Sequence, residues 1–373
     1  MKRLLLLLLL PLGIGFVQCS KGGSSDDTSD VPPPATDAQL QISVLTEDLY
    51  HPWEILWGPD NKIWMTERNG RISQVDPQTG AVKNLLTLTD SRESGEGGLL
   101  GMALHPDFTT IPQVFIVYNY QKNGSYTEKV VRYTYNGSTL VEPVVLLDNI
   151  AAAQFHNGSR LVFGPDKMLY ISTGDAGVTS RSQDPASLNG KILRIHPDGS
   201  VPADNPVPNN PMWTLGHRNA QGLVFGNGKL FSSEHGPSTD DEINIIEKGR
   251  NYGWPTAVGI CDQSSEQAFC TSNNVFQPIH SWSPTIAPCG MDYYNSDLIP
   301  QWKNSLILAV LKNSVLLQLK LNASGDKIEE VKEFYKNEYG RLRDVCIAPD
   351  GKVYVSTDNG NDRILVISRG NQF

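Results

Sequence analysis

Six times along this chain an apolar strand enters a tight turn and leaves it as a second strand rich in Ile, Val, Tyr and Trp. The copies read WEILWGPDNKIWMTER (53–68), LLGMALHPDF…PQVFIVYNY (99–120), RLVFGPDKMLYISTGD (160–175), GLVFGNGKLFSSEHG (222–236), MDYYNSDLIPQWKNSLILAVLK (291–312) and RDVCIAPDGKVYVSTDNG (343–360). A third strand follows in most of them, as in GRISQVD, EKVVRYTY, GKILRIHP, DEINIIE, SVLLQLKL and DRILVIS. Six such units at spacings of about 45 to 70 residues predict an all-β fold, a six-bladed β-propeller. Between the strands there are no amphipathic helical stretches of about 10–15 residues, which argues against a barrel or doubly wound sheet of alternating strands and helices. The segment 40–45 precedes the first copy and is placed to form the outer strand of the last blade, closing the ring and removing an exposed edge. The recurring Pro-Asp turn is structural, since Pro fixes φ and Asp caps the turn.

Composition narrows the choice further. Gly (33) and Pro (24) are frequent and charged residues make up only 19%, as many short strands joined by turns require. A net charge of −9 excludes the basic footprint of a nucleic-acid binder. Lys2 and Arg3 precede an apolar run, 4–17, too short to span a bilayer, and Cys19 follows it. Residues 1–18 therefore read as a lipoprotein signal with Cys19 as the lipid-accepting residue, although Gln18 is larger than the small residue usual before such a cysteine. Residues 19–38 read as a flexible tether and 39–373 as the propeller domain. Export to an oxidising compartment favours a local disulfide between Cys261 and Cys270, which share one short polar loop. Cys289 and Cys346 are placed near the starts of apolar strands and read as buried free thiols. No paired-cysteine or HExxH spacing for zinc occurs.

Chemistry concentrates in 216–255, GHRNAQGLVFGNGKLFSSEHGPSTDDEINIIEKGRNYGWP. Two strands sit between a Gly-His-Arg-Asn run and an acidic Gly-Pro loop, a layout suited to a site on the rim of a β-structure. With GGLLGMALHPDF (97–108), HNGSRLVFGPD (156–166), LNGKILRI (188–195), NYGWP (251–255), SPTIAPCGMDYY (283–294) and GRLRDV (340–345), this stretch resembles the soluble quinoproteins that bind pyrroloquinoline quinone (PQQ). That family is the glucose/sorbosone and aldose sugar dehydrogenases, and the length is closer to the compact aldose sugar dehydrogenases. The resemblance covers nearly all of the chain after the tether, and it implies the same six-bladed fold.

The resemblance implies two catalytic residues. His156 is the general base for a sugar C1 hydroxyl, a role to which a neutral imidazole is suited. Arg218 stabilises the negative charge that develops on the quinone. Glu96, Arg218, Asn219, Lys312, Arg341 and Arg343 are the implied cofactor-binding set, since a tricarboxylate calls for cations and Arg recognises carboxylates in a bidentate manner. Ca²⁺ is the implied metal: one ion on the backbone carbonyls of Gly236 and Pro237, and a second at Glu242 and Tyr252. The acidic run Asp240-Asp241-Glu242 also reads as a plain solvated turn. His217 and His235 are expected to pack rather than react.

Two positions depart from the glucose dehydrogenases: Phe155 replaces an Asp and Glu96 a Gln, so glucose specificity does not follow. The expected reaction is oxidation of aldoses at C1 to lactones, with electrons passed to an unidentified acceptor and membrane contact only through lipid on Cys19. The competing reading is a non-catalytic propeller lipoprotein that binds a glycan or protein. A propeller lactonase would need metal-binding carboxylates and amides converging on the tunnel, which the basic set fits poorly.

Overall fold

In the computed structural model, residues 37–370 are described; the expected signal (1–18) and most of the expected tether (19–38) lie outside them, but Ala38 belongs to the fold and not to a tether, buried with its amide and carbonyl bonded to Gln301 at 3.1 and 2.7 Å. Six four-stranded antiparallel sheets form the molecule, each with its strands in sequence order except the last. The innermost strands are Pro52–Trp57, Leu99–Leu104, Gly158–Phe163, Ala220–Gly226, Pro288–Tyr294 and Leu342–Ile347, which define blades 1 to 6. Each innermost strand packs against the next all the way round, so the sheets close into a ring. In blade 6 the fourth strand is Leu40–Leu49, paired antiparallel with Asp362–Arg369. Both ends of the described chain thus share one sheet, as the closure reading expects, and no blade is left open.

Burial explains why the second strand of each repeat is so apolar. Ile63–Glu67 and Leu169–Thr173 are buried at every position, because both faces of a middle strand lie against neighbouring blades. The outer strand Val82–Thr87, by contrast, is mostly exposed. The core is accordingly divided into wedges between blades, such as Val224, Phe231 and Ile243 with Leu306, Leu308 and Leu317. The Pro-Asp turns act as read: Asp60 accepts from the Trp64 indole at 3.1 Å, and Asp166 from the Met168 amide at 3.1 Å and the Tyr170 hydroxyl at 3.0 Å.

The cysteines settle simply. Cys261 and Cys270 are joined, with Cys270 on the α-helix Ser264–Ser272, which interrupts what the sequence presents as loop. Cys289 and Cys346 are free and buried. Cys346 lies near the end of its strand rather than the start.

Candidate functional site

The residues ahead of the innermost strands gather at one end of the ring. His156 stands two residues ahead of the inner strand of blade 3, with φ +58°, a left-handed backbone conformation. Gly174 makes the turn possible, since a β-carbon there would sit 1.9 Å from the His156 carbonyl. His156 Nδ1 lies 2.8 Å from Asp175 Oδ1. Asp175 is fully buried and also accepts from the Gly177 amide at 2.8 Å and the Trp254 indole at 2.9 Å. Burial opposes ionisation of Asp175, but His156 and these donors outweigh it and hold the carboxyl below its usual range. An ionised Asp175 accepts the Nδ1–H, which leaves Nε2 of His156 as the basic nitrogen.

Beside this pair, Arg218 lies over the Trp254 ring at 5.3 Å and donates through Nη1 to the His235 carbonyl at 3.0 Å. Its Nε is buried without a partner, and so is Nδ2 of Asn219, whose Oδ1 is already taken by the Gly158 amide at 3.1 Å. Glu234 holds the run in place: its carboxylate receives the amides of Arg218 and Asn219 and Nδ1 of His217 at 2.9 Å. His217 itself is fully buried, stacked on Tyr252 at 4.6 Å with Thr214 on its other nitrogen, so it packs as expected.

His235 donates Nε2–H to the Pro288 carbonyl at 2.9 Å. Burial, then the charge of Arg343, pulls its pKa down to about 3, with Arg218 and His156 adding to the effect. It is therefore a neutral group set among the cations of the mouth.

The remaining basic residues divide. Lys312 is exposed, with its ammonium 3.0 Å from the Thr285 hydroxyl and its amide bonded to the Ile286 carbonyl at 3.1 Å. Arg341 is half exposed and 3.7 Å from Asp358. Arg343 is buried: Nη1 donates to Gln221 at 2.9 Å and Cys289 Sγ at 3.1 Å, and Nη2 pairs with Asp358. Asp358 also meets His51 Nδ1 at 2.5 Å, and His51, Asp358 and Asp362 form an acidic trio with ligand atoms mutually close. The trio is engaged internally, since Asp362 takes the Thr357 hydroxyl at 2.8 Å and the Gly360 amide at 3.1 Å. Glu96 is exposed, and its carboxylate receives the His156 amide at a long 3.4 Å.

The acidic run is not a solvated turn. Asp241 and Glu242 are both buried. Asp241 is a structural pin, accepting from the amides of Gly236 at 2.7 Å, Ile286 at 2.5 Å and Ala287 at 2.7 Å. It thereby ties the Gly-Pro loop to the segment whose Ile286 carbonyl receives the Lys312 amide. Gly236, Pro237, Glu242 and Tyr252, assigned above to two ions, all line one cavity of about 10 Å³ together with Arg218 and Glu234. That volume is about what one small ion or water occupies. The Glu242 carboxylate accepts from Asn244 and the Gly259 amide, both at 2.9 Å, and no lysine or arginine pairs with it among the described residues. Tyr252 spends its hydroxyl on the Ile245 carbonyl at 2.6 Å, which leaves its backbone as the group to offer an ion.

Two groups of the site went unread in the sequence, Asp175 and Trp254, together with Glu234 as the holder of the Arg-Asn run. Their signal is in the repeat. An acidic residue ends the second strand of several copies or follows it within two residues: Glu67, Asp175, Glu234 and Asp358. In each case it binds a residue that precedes an inner strand: Tyr50, His156, Arg218 and His51 respectively.

Below the mouth the tunnel is crossed by Arg160, which pairs with Glu54 at 2.7 Å and Asp344 at 2.9 Å and lies over Trp53 at 4.2 Å. A cavity of about 310 Å³ continues beyond it, lined largely by apolar residues from the far ends of the inner strands, and it contains no histidine.

Fold and mouth together define a six-bladed propeller whose one end presents an Asp-held histidine, unpaired buried donors and exposed cations. A family profile, Glucose / Sorbosone dehydrogenase, matches residues 49–366, and the chain belongs to that family. It is 33% identical to quinoprotein glucose dehydrogenase B of Acinetobacter calcoaceticus over 88% of this chain and 87% of that one. Against aldose sugar dehydrogenase YliI of Escherichia coli K12 it is 31% identical, covering 90% and 95%. The PQQ-bound aldose sugar dehydrogenase of Streptomyces coelicolor superposes with a TM-score of 0.78 at 35% identity, over 89% of this chain and 98% of that one.

Proposed function

We propose that this chain is a PQQ- and Ca²⁺-dependent aldose dehydrogenase that oxidises the C1 hydroxyl of a reducing sugar to the lactone. The observation that carries the reading is the conjunction at the mouth: His156 held by buried Asp175, next to two buried donors, Arg218 Nε and Asn219 Nδ2, that have no partner. Buried donors are rarely left unpaired, and these fit an acceptor-rich group such as an ortho-quinone. Lys312 and Arg341, exposed at the same end, would hold its carboxylates, while Arg343 adds buried positive charge. The carbonyls of Gly236 and Pro237, with Glu242 and Tyr252, offer the hard oxygen donors that Ca²⁺ takes. When bound, PQQ supplies the quinone that accepts hydride and Ca²⁺ the Lewis acid that polarises it.

The protein's own part follows from its geometry. Nε2 of His156 takes the C1 hydroxyl proton as the C1 hydrogen departs with its electron pair, leaving the C1 carbonyl of the lactone. The imidazolium is stabilised by Asp175, and Gly177 and Trp254 keep that carboxylate from turning. Arg218 stays cationic: burial lowers its pKa, and Asp175 and Glu234 act against that fall.

Lipid anchoring through Cys19 in the bacterial envelope and transfer to an unidentified electron acceptor complete the proposal. Purified protein supplied with PQQ and Ca²⁺ is expected to reduce a dye with aldoses and not with alditols, which lack an anomeric hydroxyl. Binding of sugars without dye reduction in the fully loaded protein would instead favour a non-catalytic propeller.

A further inference from the structure

We propose that Lys191 is a positioning residue of the site: its ammonium, seated on backbone carbonyls, holds in register the segments that carry Asp175 and Arg218, and the site loosens when that ammonium loses its proton. The consequence for catalysis rests on the reading of His156 as the base. Lys191 opens the third strand of blade 3, Lys191–Ile195, in the motif LNGKILRI, and is fully buried. Among the described residues no carboxylate pairs with it. Its Nζ donates instead to three carbonyls, those of Arg181 at 2.8 Å, Ser182 at 3.1 Å and Asn189 at 2.8 Å. An ammonium has three N–H donors and no acceptor, so every donor is used and the charge sits in a socket of carbonyl dipoles.

Each of the three gripped residues reaches the site in one further bond. The Ser182 carbonyl also receives the Gly216 amide at 2.9 Å, and the Ser182 hydroxyl donates to the His217 carbonyl at 2.6 Å. Those contacts fix the chain just ahead of Arg218. Asn189 donates through Nδ2 to the Gly174 carbonyl at 2.9 Å, next to Asp175. Arg181 turns Nη1 to the Asp175 carbonyl at 3.3 Å. On the same short turn, Thr179–Gln183, Gln183 donates to the Trp254 carbonyl at 2.7 Å. Lys191 thus stands behind the carboxylate that holds the base, the tryptophan that orients that carboxylate, and the Arg-Asn run.

The socket suits an ammonium and not an amine. A neutral amine keeps two N–H donors and turns a lone pair toward the third carbonyl, which leaves a buried acceptor unpaired. The charged and titratable groups around Lys191 are Arg181 and Asp184 on the adjoining turn, Asp175 beyond the strand Leu169–Thr173, and His217 beyond the strand Met212–Leu215. Asp184 is exposed and opposes the effect of burial without cancelling it, so the pKa of Lys191 is pulled down to about 8. His217 is occupied by Thr214 and Glu234. A lysine whose folded-state pKa is lowered gives up its proton before the unfolded chain does, so its deprotonation costs no global stability. The change is a local release of the turn and of the segments tied to it.

The test follows cofactor reduction by a saturating aldose between pH 7 and 10 in the PQQ-loaded enzyme, with Ca²⁺ in excess so that Glu242 stays ionised. In wild type the rate is expected to fall about tenfold with its midpoint near 8, as a small displacement of the base implies. Lys191→Met is expected to be slow at pH 7 by the same factor and flat across the range. Glu128→Gln, which removes another group that titrates near 8, is expected to keep the wild-type fall. Hydrogen exchange of loaded wild type without sugar needs no variant. With the intrinsic exchange rate divided out, peptides spanning 174–190 and 212–218 are expected to lose protection about tenfold from pH 7 to 10, while the inner strands of blades 5 and 6 keep theirs. A fall that survives in Lys191→Met or vanishes in Glu128→Gln overturns the proposal, and so does exchange that is unchanged or rises evenly round the ring. If Lys191→Met does not fold, the wild-type exchange pattern decides. Wild type that oxidises aldoses at a rate flat with pH overturns the role of Lys191 and leaves the dehydrogenase reading intact. Wild type that oxidises no aldose removes the reading of His156, and the positioning role with it.

Discussion

At the scale of single residues, the account depends on how Asp175 treats His156. An ionised, fully buried carboxylate 2.8 Å from Nδ1 sets the tautomer, and the Trp254 indole sets the carboxylate. Asp175→Asn is expected to leave sugar and PQQ binding largely intact and to lower kcat on the order of 10²-fold, since His156 is then free to adopt the other tautomer. A steady-state comparison of kcat and KM checks this. Glu128 gives a prediction of a different kind. Its carboxylate receives the Ser159 hydroxyl at 2.6 Å and Asn119 at 3.3 Å, linking blades 2 and 3, and burial pushes its pKa up to about 8. For an acid with a raised folded-state pKa, the unfolded chain ionises first. Stability is therefore lost as pH rises from the ordinary glutamate value of about 4.3 toward 8. Glu128→Gln is expected to melt like wild type near pH 4 and a few degrees higher at pH 8, as read by thermal unfolding across that range.

At the scale of elements, the ring is held by one strand borrowed from the other end of the chain. Removing residues 37–49 would expose Asp362–Arg369 as an open edge with its backbone unpaired. Such a truncation is expected to associate or aggregate at concentrations where the full chain is monodisperse, which light scattering would show. The Cys261–Cys270 bond ties the short helix of blade 4 to the loop ahead of it and closes a loop on the order of 10 residues. Cys261→Ser is expected to cost a few kcal/mol at most and to leave the sheet intact. The strands were legible because a half-buried or wholly buried strand has to be written in apolar residues, and the Pro-Asp turns punctuate them. The helix was not, because Ser264–Ser272 has no apolar stripe and buries only Glu266. The acid that ends the second strand of several blades was legible as a repeat and overlooked as chemistry. Glu67 and Glu234 end their strands and hold backbone amides, whereas Asp175 lies two residues past its strand and holds the His156 ring, so no single repeat position marks it.

At the scale of the whole molecule, the propeller brings to one end residues separated by most of the chain: His51, His156, Arg218, Lys312 and Arg341. Family resemblance marked most of these positions, yet it did not foretell their different states. Arg343 is enclosed by Gln221, Cys289 and Asp358, whereas Lys312 and Arg341 face solvent. Those differences arise from packing across blades, which no local pattern carries. Removal of Ca²⁺ by a chelator is expected to lower both PQQ retention and melting temperature. Ca²⁺ should restore them and Mg²⁺ should not, because Mg²⁺ demands shorter octahedral bonds than a cavity of carbonyls and one carboxylate provides. The central claim, that His156 is the base for oxidation of an aldose at C1, is tested most directly by rapid mixing of the fully loaded enzyme with saturating sugar, followed by the absorbance change of the cofactor. His156→Ala, shown by titration to hold PQQ as wild type does, is predicted to be reduced at least ~10²-fold more slowly. Reduction at the wild-type rate would contradict the account and send the search for a base elsewhere in the tunnel.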